Sequence, residues 1–501
     1  MNALARLDHA HVWHPFTQMR DWLRTEPLVL VEGHGAVLRD TRGREYLDAN
    51  SSIWTNLHGH NHPKINAAIR RQLGKVAHTS SLGFANEPAS RLAAELVRLA
   101  GPSRDRVPES GSANLRQLTK VFFSDDGSTA VEVALKLAYE FTRRTRGPQS
   151  RPRFLALKGA YHGDTVGAVS LGHIGLFHQA YAGLLFKSDA VMAPYCYRCP
   201  FNRAKPERAD ARSYRRCQWE CVGKVETALT KATKQQKPYA GLIFEPRMQG
   251  AAGMIPQPEG WLRRVAELSR AHGALLIADE VMTGFGRTGA GPGGGSNARG
   301  KEGAGTQPLF ASQHEGVSPD FLCVAKGLTG GYLPMAATLT TDSVFGSFLG
   351  EYSEFKSFFH GHSFTGNQLG AAAALASLKL LEQAHDVSAR RRLESTLRDG
   401  LDQLWELAPV GDIRQTGLVA GIELVRDWRT KELFPLAERA GIRVCEAMAK
   451  RGVLTRPIGN VLVLMPPYCT TPGQIKRMIG AMTESIAEVF PRVGCPPRIR
   501  L

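Results

Sequence analysis

Short apolar runs alternate with helix-like stretches along the middle of the chain. The runs lie at residues 121–123, 154–157, 242–244, 275–278 and 321–325. Between them, stretches such as 129–139 and 261–271 repeat apolar residues at the spacing of an amphipathic helix. Strands separated by helices are typical of an α/β protein, so we predict a mostly parallel central sheet.

The two ends of the chain show a different pattern. The segment before this region and the segment after about residue 365 combine helical periodicity with short strand-like runs, such as 461–465. We expect the two ends to pair into a smaller α+β domain. Residues 1–75 and 361–501 then flank a large domain at 76–360. Polar, glycine- or serine-rich stretches near 102–118 and 290–308 hold too few apolar residues to pack on a core, and we expect surface loops there.

The composition is close to the average for globular proteins. Of 501 residues, 43% are hydrophobic and 22% are charged, which is enough to build a large core. No apolar run reaches the roughly 20 residues of a membrane helix. The first residues lack the apolar core of a secretory signal. We therefore expect a cytoplasmic protein with reduced cysteines and no membrane partner.

The net charge of +17 is compatible with an anionic partner. Nucleic-acid-binding surfaces gather their basic residues on one face or stripe. Here the arginines are scattered in pairs such as Arg70-Arg71 and Arg263-Arg264, without interleaved aromatic residues. We therefore expect small-molecule partners and no nucleic acid.

Polar residues follow each strand-like run, at the edge where open parallel sheets bind ligands. After 121–123, a helical pattern begins near Gly127 and Ser128. Free backbone N–H groups and the positive end of a helix at that point would bind a phosphate. Serine and threonine are also common N-caps without any function, and the residues alone leave both interpretations open.

Three further strand ends carry an aromatic residue, a carboxylate and a lysine. Tyr161 could stack on a planar ring. Asp279 at the end of a buried strand needs a partner, and a protonated pyridine nitrogen would serve. Lys326, if desolvated, becomes a Schiff-base nucleophile, although a surface lysine is the alternative. Together with a phosphate site, these groups are those of a pyridoxal phosphate (PLP) enzyme.

Five segments also resemble the class III aminotransferases, at residues 14–19, 58–63, 159–165, 278–289 and 326–331. Within that class they are most similar to the 7,8-diaminononanoate synthases of biotin synthesis. The resemblance covers nearly the whole chain and implies the type I fold of PLP-dependent transferases.

The resemblance assigns roles to single positions. It implies that Lys326 carries PLP, that Asp279 meets the pyridine nitrogen and that Tyr161 lies against the ring. It also implies a homodimer with shared active sites, in which a loop of the neighbouring subunit completes the phosphate site. The other cofactor contacts expected from it are Gly127, Ser128, Glu245, His362 and Ser363.

The reaction implied is transfer of an amino group to 8-amino-7-oxononanoate (KAPA), with S-adenosylmethionine as donor. KAPA is a long chain that needs an apolar tunnel and one anchor for its carboxylate. Arg414 lies in a motif that matches the carboxylate-binding segment of the family, a role suited to a bidentate guanidinium. The remaining substrate contacts expected are Phe16, Ile53, Trp54 and Gly361.

The donor assignment rests on a pattern from which this chain departs. Phe16 stands where many S-adenosylmethionine users have tyrosine, and Ile53 where they have tryptophan. His362-Ser363 replaces a Pro-Thr pair. Similar substitutions occur in relatives that use L-lysine. L-lysine is therefore the alternative donor, and another class III ω-amino-acid aminotransferase or an aminomutase is the alternative enzyme.

Four cysteines form a spacing that approximates a zinc site. The pair Cys196 and Cys199 is separated by 17 residues from the pair Cys217 and Cys221. The second pair is one residue wider than the commonest zinc pattern, and clustered buried thiols without metal are the favoured alternative, so we expect no resident metal.

A more distant alternative is a basic, non-catalytic protein that keeps the same fold and either binds nucleic acid or has a regulatory role. The presence of both Lys326 and Asp279 speaks against it.

Overall fold

The computed structural model describes residues 1–101, 117–289 and 308–491. The two loops expected near 102–118 and 290–308 lie almost wholly outside the described residues.

Seven strands form the central sheet, and their order across it is β4-β12-β11-β10-β7-β5-β6. Their bounds are β4 Leu118–Ser124, β5 Phe154–Leu157, β6 Asp189–Val191, β7 Gly241–Phe244, β10 Leu275–Asp279, β11 Phe321–Val324 and β12 Ala336–Thr341. β10 pairs in parallel with β7 and β11, and β5 with β6 and β7. β12 is antiparallel to both β11 and β4, so β4 and β11 run in the same direction. The predicted mostly parallel sheet is confirmed, with β12 as the strand that the pattern did not reveal.

Helices cover both faces of this sheet. Successive strand residues point to opposite sides, and here both sets are apolar, so each face needs a covering layer. Leu275 and Ile277 of β10 belong to an apolar cluster with the helix Gly127–Arg146, whereas Leu276 and Ala278 pack in a cluster with the helices Glu220–Lys234 and Trp261–Ala271. All of these strand residues are buried. The result is a three-layer α/β/α arrangement.

Two smaller sheets are built from the ends of the chain. One has the order β1-β2-β3-β16 and the other β13-β14-β18-β17, with β15 paired to β14. Their bounds are β1 Leu30–His34, β2 Val37–Asp40, β3 Glu45–Asp48, β13 Val410–Thr416, β14 Val419–Asp427, β15 Glu432–Leu433, β16 Val453–Leu454, β17 Pro457–Ile458 and β18 Val461–Leu464. β16 pairs in parallel with β3, so the N- and C-terminal segments share a sheet, as expected. A short hairpin completes the strands, β8 Met248–Gln249 and β9 Ile255–Pro256.

The helices of the described residues are α1 Ala3–His11, α2 Met19–Trp22, α3 Ser51–Trp54, α4 Pro63–Leu73, α5 Glu87–Ala100, α6 Gly127–Arg146, α7 Val166–Leu171, α8 Gly175–His178, α9 Ala211–Tyr214, α10 Glu220–Lys234, α11 Trp261–Ala271, α12 Asp342–Gly346, α13 Gln368–Leu381, α14 Ala384–Asp402, α15 Ala440–Lys450 and α16 Pro472–Val489. Within the described ranges, no helix is both long and apolar enough to cross a bilayer. The residues of α3 all have positive φ, so this element is a left-handed turn.

Candidate active site

A cavity of about 720 Å³ opens at the carboxyl edge of the central sheet. Residues that follow β4, β5, β7, β10 and β11 line it, because these strands run in the same direction and end at the same edge. The antiparallel β12 begins at this edge, so Pro334 and Met335 also line the cavity. Its volume is in the range of small-molecule sites.

Asp279 ends β10 and is held from two sides. The Nδ1 atom of His162 lies 2.7 Å from Asp279 Oδ2, and the Val281 N–H donates to Oδ1 at 3.1 Å. Because a carboxylate only accepts, His162 donates through Nδ1. The Nε2 atom of His162 is buried without a hydrogen-bond partner among the described residues. The sequence prediction missed His162, although it follows Tyr161 at the end of β5.

Glu245 follows β7 and is a second buried carboxyl group in the cavity wall. Its Oε2 atom accepts the Gly250 N–H at 2.7 Å, and Oε1 accepts the Tyr161 N–H at 3.5 Å. Burial raises the pKa of Glu245 to about 7, and the negative charge of Asp279 adds to this effect while His162 opposes it. The site therefore holds one carboxyl group that can keep a proton near neutral pH.

Lys326 follows β11 after one intervening residue, Ala325, and is partly buried in the cavity wall. Its backbone has a φ of 43°, in the left-handed region. Its Nζ atom lies 4.9 Å from the centre of the Trp54 ring. Burial lowers the pKa of the Lys326 ammonium, although the charges of Asp279 and Glu245 act against this. A lysine with a lowered pKa yields the neutral, nucleophilic amine more easily.

The N-terminus of α6 forms another part of the wall. Asp126 caps it, accepting the Thr129 N–H at 2.9 Å, so Ser128 is not the N-cap. The Ser128 hydroxyl lies 2.7 Å from the hydroxyl of Thr165, and both residues line the cavity. A Cβ atom on Gly127 would lie 2.5 Å from Val281 Cγ1. Only glycine therefore lets this helix end approach the end of β10.

These features fit the phosphorylated pyridine cofactor that the sequence implies. The N–H groups at the start of α6 and the hydroxyls of Ser128 and Thr165 suit a phosphate. The clamped carboxylate of Asp279 suits a protonated ring nitrogen, and Lys326 suits covalent attachment. The fit rests on the space left at Gly127 and on the unpaired, buried Nε2 of His162.

The aromatic residues expected at the site divide into two groups. Trp54 and Tyr161 line the cavity. Phe16 does not line it, but its ring centre lies 6.4 Å from that of Tyr161. Ile53 is 42% exposed and lies outside the lining. The structure thus brings Trp54 and Tyr161 to the cavity and leaves Phe16 at its border.

Arg414 lies outside the cavity lining and is 1% exposed. Its Nη1 donates to Asp412 Oδ2 at 2.8 Å and to Glu423 Oε2 at 2.7 Å. Its Nε and Nη2 donate to the backbone carbonyls of Gly253 and Met254. Each guanidinium nitrogen already has a protein acceptor. These contacts argue against the carboxylate-binding role expected from its motif.

The residues expected to act across a subunit boundary lie apart from the cavity lining. Gly361 and Ser363 are exposed, and His362 Nδ1 lies 3.0 Å from Asp125 Oδ2. Asp125 itself lines the cavity. This loop therefore stands beside the site of its own chain, with its tip open to a neighbour.

The zinc candidate gains no support from the structure. Cys196, Cys199, Cys217 and Cys221 are free thiols. Across the described residues, which include all four, no three His, Cys, Asp or Glu side chains are arranged to hold a metal ion. Burial raises the pKa of Cys196 to about 12 and that of Cys221 to about 11, so these thiols stay protonated.

Comparison with known proteins gives a consistent result. The sequence profile of the class-III aminotransferase family matches residues 19–293 and 300–486. The chain is 44% identical over 482 residues to the adenosylmethionine-8-amino-7-oxononanoate aminotransferase of Geobacter sulfurreducens, covering 96% of this chain and 97% of that protein. It is 43% identical to the protein of the same name from Aquifex aeolicus, with 97% of each chain covered.

Solved structures show the same likeness. The structure of adenosylmethionine-8-amino-7-oxononanoate aminotransferase from Methanocaldococcus jannaschii superposes with a TM-score of 0.83 at 38% identity, covering 97% of this chain and 98% of that one. An (S)-enantioselective ω-transaminase from Thermomicrobium roseum gives 0.83 at 29% identity, covering 98% and 99%.

Proposed function

The chain belongs to the class-III aminotransferases, PLP-dependent enzymes, and from this premise we propose that it transfers an amino group to KAPA, forming 7,8-diaminononanoate for biotin synthesis. S-adenosylmethionine is the proposed donor, as the names of the relatives state for those proteins. The observation that carries the proposal is that Lys326 and Asp279 line one cavity at the carboxyl edge of the sheet.

PLP, when bound, supplies an electron-accepting ring that stabilises negative charge at the carbon bearing the amine. The residues that would hold it are Gly127, Ser128, Thr165, Tyr161, Asp279 and Lys326. Of these, Asp279 would pair with the ring nitrogen, and His162 fixes Asp279 by the 2.7 Å contact.

Lys326 moves protons in this proposal. Its lowered pKa lets Nζ exist as the neutral amine, which accepts a proton from the substrate carbon and returns it as a general acid. The Trp54 ring, 4.9 Å away, limits where Nζ can go and excludes water on that side. Glu245 holds a proton near neutral pH and keeps a second full negative charge away from Asp279.

The carboxylate of KAPA needs a cation other than the buried Arg414. Arg456 lies between β16 and β17 and is exposed. Two residues on, Ile458 packs against the same apolar cluster as Trp54, and that cluster contains Met282, which lines the cavity with Trp54. We therefore place the long apolar chain of KAPA along this cluster and its carboxylate on Arg456.

Arg456→Ala tests this placement. The loss of a charged hydrogen bond should raise the KM for KAPA roughly 10- to 100-fold while changing kcat little. Arg414→Ala should instead lower the stability of the protein, because it leaves Asp412 and Glu423 buried without their partner. An unchanged KM in Arg456→Ala would remove this residue from the site.

We also propose a homodimer. Leu82, Phe84, Phe359 and Phe364, which we call the loop face, are between 57% and 88% exposed. Two hydrogen bonds hold the segment of Leu82 and Phe84 against that of Phe364, since Ser81 donates to the Thr365 carbonyl and Asn86 to that of Gly366. Phe359 precedes Phe364 in the same loop. Exposed apolar patches of this kind mark protein interfaces. The loop face borders Gly361, His362 and Ser363, which a neighbouring subunit would then meet.

Sedimentation measures the assembly directly. The wild-type protein should sediment at twice the 54.7 kDa chain mass. Phe84→Asp should shift it toward the monomer and reduce activity. Leu436→Asp is the matched control, since Leu436 is 63% exposed and lies outside the loop face. A monomeric, active wild type would contradict the proposal.

We also propose a cytoplasmic location, since the proposed reaction needs only small-molecule partners.

The donor experiment tests the proposed function. Purified holoenzyme is mixed separately with S-adenosylmethionine and with L-lysine, and the visible absorbance of the cofactor is followed before and after adding KAPA. Loss of absorbance with S-adenosylmethionine and its return with KAPA are expected. The same response to L-lysine alone would transfer the donor role to lysine. No response to either would favour another ω-amino-acid aminotransferase.

A further inference from the structure

A buried aspartate at the end of β3 accepts four hydrogen bonds. Asp48 Oδ1 accepts the N–H groups of Ser52 at 3.0 Å and Asn50 at 3.3 Å, and its Oδ2 accepts the Ser52 hydroxyl at 2.8 Å. The Nε2 atom of His60 lies 3.0 Å from the same Oδ2. A carboxylate offers about four acceptor positions, so those of Asp48 are all occupied. Burial opposes ionisation of Asp48, but the hydrogen bonds from His60 and Ser52 outweigh it and lower its pKa.

His60 is itself fixed on both sides of its ring. Because a carboxylate only accepts, His60 donates to Asp48 through Nε2. Its Nδ1 accepts from Asn56 Nδ2 at 3.1 Å, and Asn56 Oδ1 accepts the Gly59 N–H at 2.8 Å. The backbone of His60 exchanges hydrogen bonds of 2.8 and 3.0 Å with Gly35, between β1 and β2. His60 therefore presents its Nε2–H to Asp48 from a fixed place beside the smaller sheet.

The segment that Asp48 closes is the left-handed turn Ser51–Trp54. None of its residues is glycine, and their φ angles lie between 47° and 67°. Such a run is unfavourable and persists only where surrounding contacts hold it. Asp48 binds both the backbone N–H and the hydroxyl of Ser52, the second residue of the turn. It is thus the acceptor around which the turn closes.

The turn decides where the Trp54 ring lies. Trp54 is its last residue, and the centre of the ring is 4.9 Å from Lys326 Nζ. The indole Nε1 is buried without a hydrogen-bond partner among the described residues. The direction of the ring is therefore set by the backbone of the turn and by packing on the apolar cluster of Met248 and Met282.

We propose that Asp48 and His60 are positioning residues for Lys326. They close the turn, the turn directs Trp54, and Trp54 shields one side of Nζ from water. Neither residue lines the cavity, so neither touches the reacting atoms. The inference rests on the proposed function and deepens it, because it traces the reactivity of Lys326 to contacts made in the N-terminal segment.

The pKa of Lys326 is the property to measure. Trace acetic anhydride acetylates neutral amines in the full-length protein freed of PLP, and mass spectrometry follows the Lys326 peptide as a function of pH. Asp48→Asn leaves two donors without an acceptor, and His60→Leu removes one donor. In both, the pKa of Lys326 should rise by about one unit, because burial is the largest cause of its lowering and water would enter beside Trp54.

The holoenzyme supplies the second measurement. In Asp48→Asn and His60→Leu, kcat should fall roughly 10- to 100-fold, while the KM for KAPA changes little. His60→Gln should keep most of the wild-type kcat and pKa, because its side-chain amide can still donate to Asp48. Thermal unfolding checks that each variant is folded.

Asp40→Asn is the matched control. Asp40 is also a buried aspartate at the end of a strand, β2, and it accepts the N–H groups of Arg42 and Arg44, each at 2.9 Å. Its loss should lower the stability of the protein without moving the pKa of Lys326. If Asp48→Asn does not fold, Ser52→Ala replaces it, since this change removes only the hydroxyl contact of an exposed residue. Ser52→Ala should shift the pKa in the same direction by a smaller amount.

A pKa of Lys326 that stays at the wild-type value in the variants of Asp48, His60 and Ser52 would overturn the inference. An equal shift in Asp40→Asn would do the same, because it would reduce the effect to general loosening of the fold. Failure of the proposed function looks different: the pKa of Lys326 would shift as expected, but the wild type would form no product with KAPA.

Discussion

Strained backbone gathers around the cavity at the scale of single residues. Ser51, Ser52, Ile53 and Trp54 have φ between 47° and 67°, and Lys326 has 43°. For residues other than glycine this conformation costs about 1–2 kcal/mol each. It turns Trp54 over Lys326 Nζ, at 4.9 Å. The strain therefore sets the direction of the two side chains between which the reacting atoms would lie.

Arg414 lies in a motif that predicts a substrate-binding role, which stays a prediction, while its contacts in this structure are to other protein groups. Two carboxylates, Asp412 and Glu423, face its single positive charge. Arg198 also donates to Glu423 at 2.6 Å, so the negative charge of Glu423 is better compensated than that of Asp412. The pKa of Glu423 is lowered by these guanidinium groups against the effect of burial, whereas burial raises the pKa of Asp412 to about 6.

Asp412→Asn should change how stability depends on pH. Burial raises the pKa of Asp412 in the folded protein to about 6, above its usual 3.8, so folding favours the protonated carboxyl group. The resulting contribution to the free energy of unfolding is complete below about pH 4 and is lost as the pH rises through 6. Between pH 5 and 7.5, the free energy of unfolding of the wild type should fall by about 1 kcal/mol relative to Asp412→Asn. Urea unfolding of both proteins measures it.

The control for this experiment is Asp399→Asn, at an exposed carboxylate on α14. It should leave the pH dependence as in the wild type. Parallel pH curves for wild type and Asp412→Asn would show that Asp412 does not titrate in this range.

At the scale of elements, the close approach of α6 to β10 positions the candidate phosphate site. Gly127→Ala should force Val281 or the helix end to move, because the new Cβ atom would lie 2.5 Å from Val281 Cγ1. Alanine is a good helix residue, so the helix itself should not suffer. We expect PLP to bind roughly tenfold more weakly, as estimated from the cost of overpacking.

Titration of the apoprotein with PLP measures this effect. Gly223→Ala is the matched control, since nothing lies within 4 Å of a Cβ atom there. Unaltered PLP affinity in Gly127→Ala would exclude the start of α6 from the phosphate site.

Elements with strong local patterns were predictable from the sequence. The strands β5, β7, β10 and β11 and the helix α11 lie where the apolar periodicity put them. β12 was missed because its sequence, Ala336–Thr341, mixes small and polar residues and looks like a strand only when it is paired between β4 and β11.

The site could be predicted only where residues follow strands along the chain. Asp279 is the last residue of a strand, and Tyr161 and Lys326 come shortly after one, so the rule that ligands bind at strand ends points to all three. The clamp of His162 on Asp279, the contact of Trp54 with Lys326 and the burial of Arg414 depend on contacts between residues distant in sequence. No local pattern reports such contacts. The domain bounds at 75/76 and 360/361 remain predictions.

At the scale of the whole molecule, the two ends of the chain frame the cavity. β3 and β16, from opposite ends, pair in one sheet, and the turn Ser51–Trp54 follows β3 directly. Trp54 thus reaches the cavity from the smaller sheets, whereas Lys326 and Asp279 reach it from the central sheet. The site requires both parts of the fold to be in place.

The most direct test of the account is product formation by the wild type and by Lys326→Ala, with KAPA as acceptor and mass-spectrometric detection of 7,8-diaminononanoate. The wild type should form the product with S-adenosylmethionine. Lys326→Ala should be slower by at least about 10²- to 10⁴-fold, the contribution of general acid–base catalysis, while its thermal unfolding stays close to that of the wild type. Product formation by Lys326→Ala at the wild-type rate, or a wild type that aminates other ketones but never KAPA, would contradict the account.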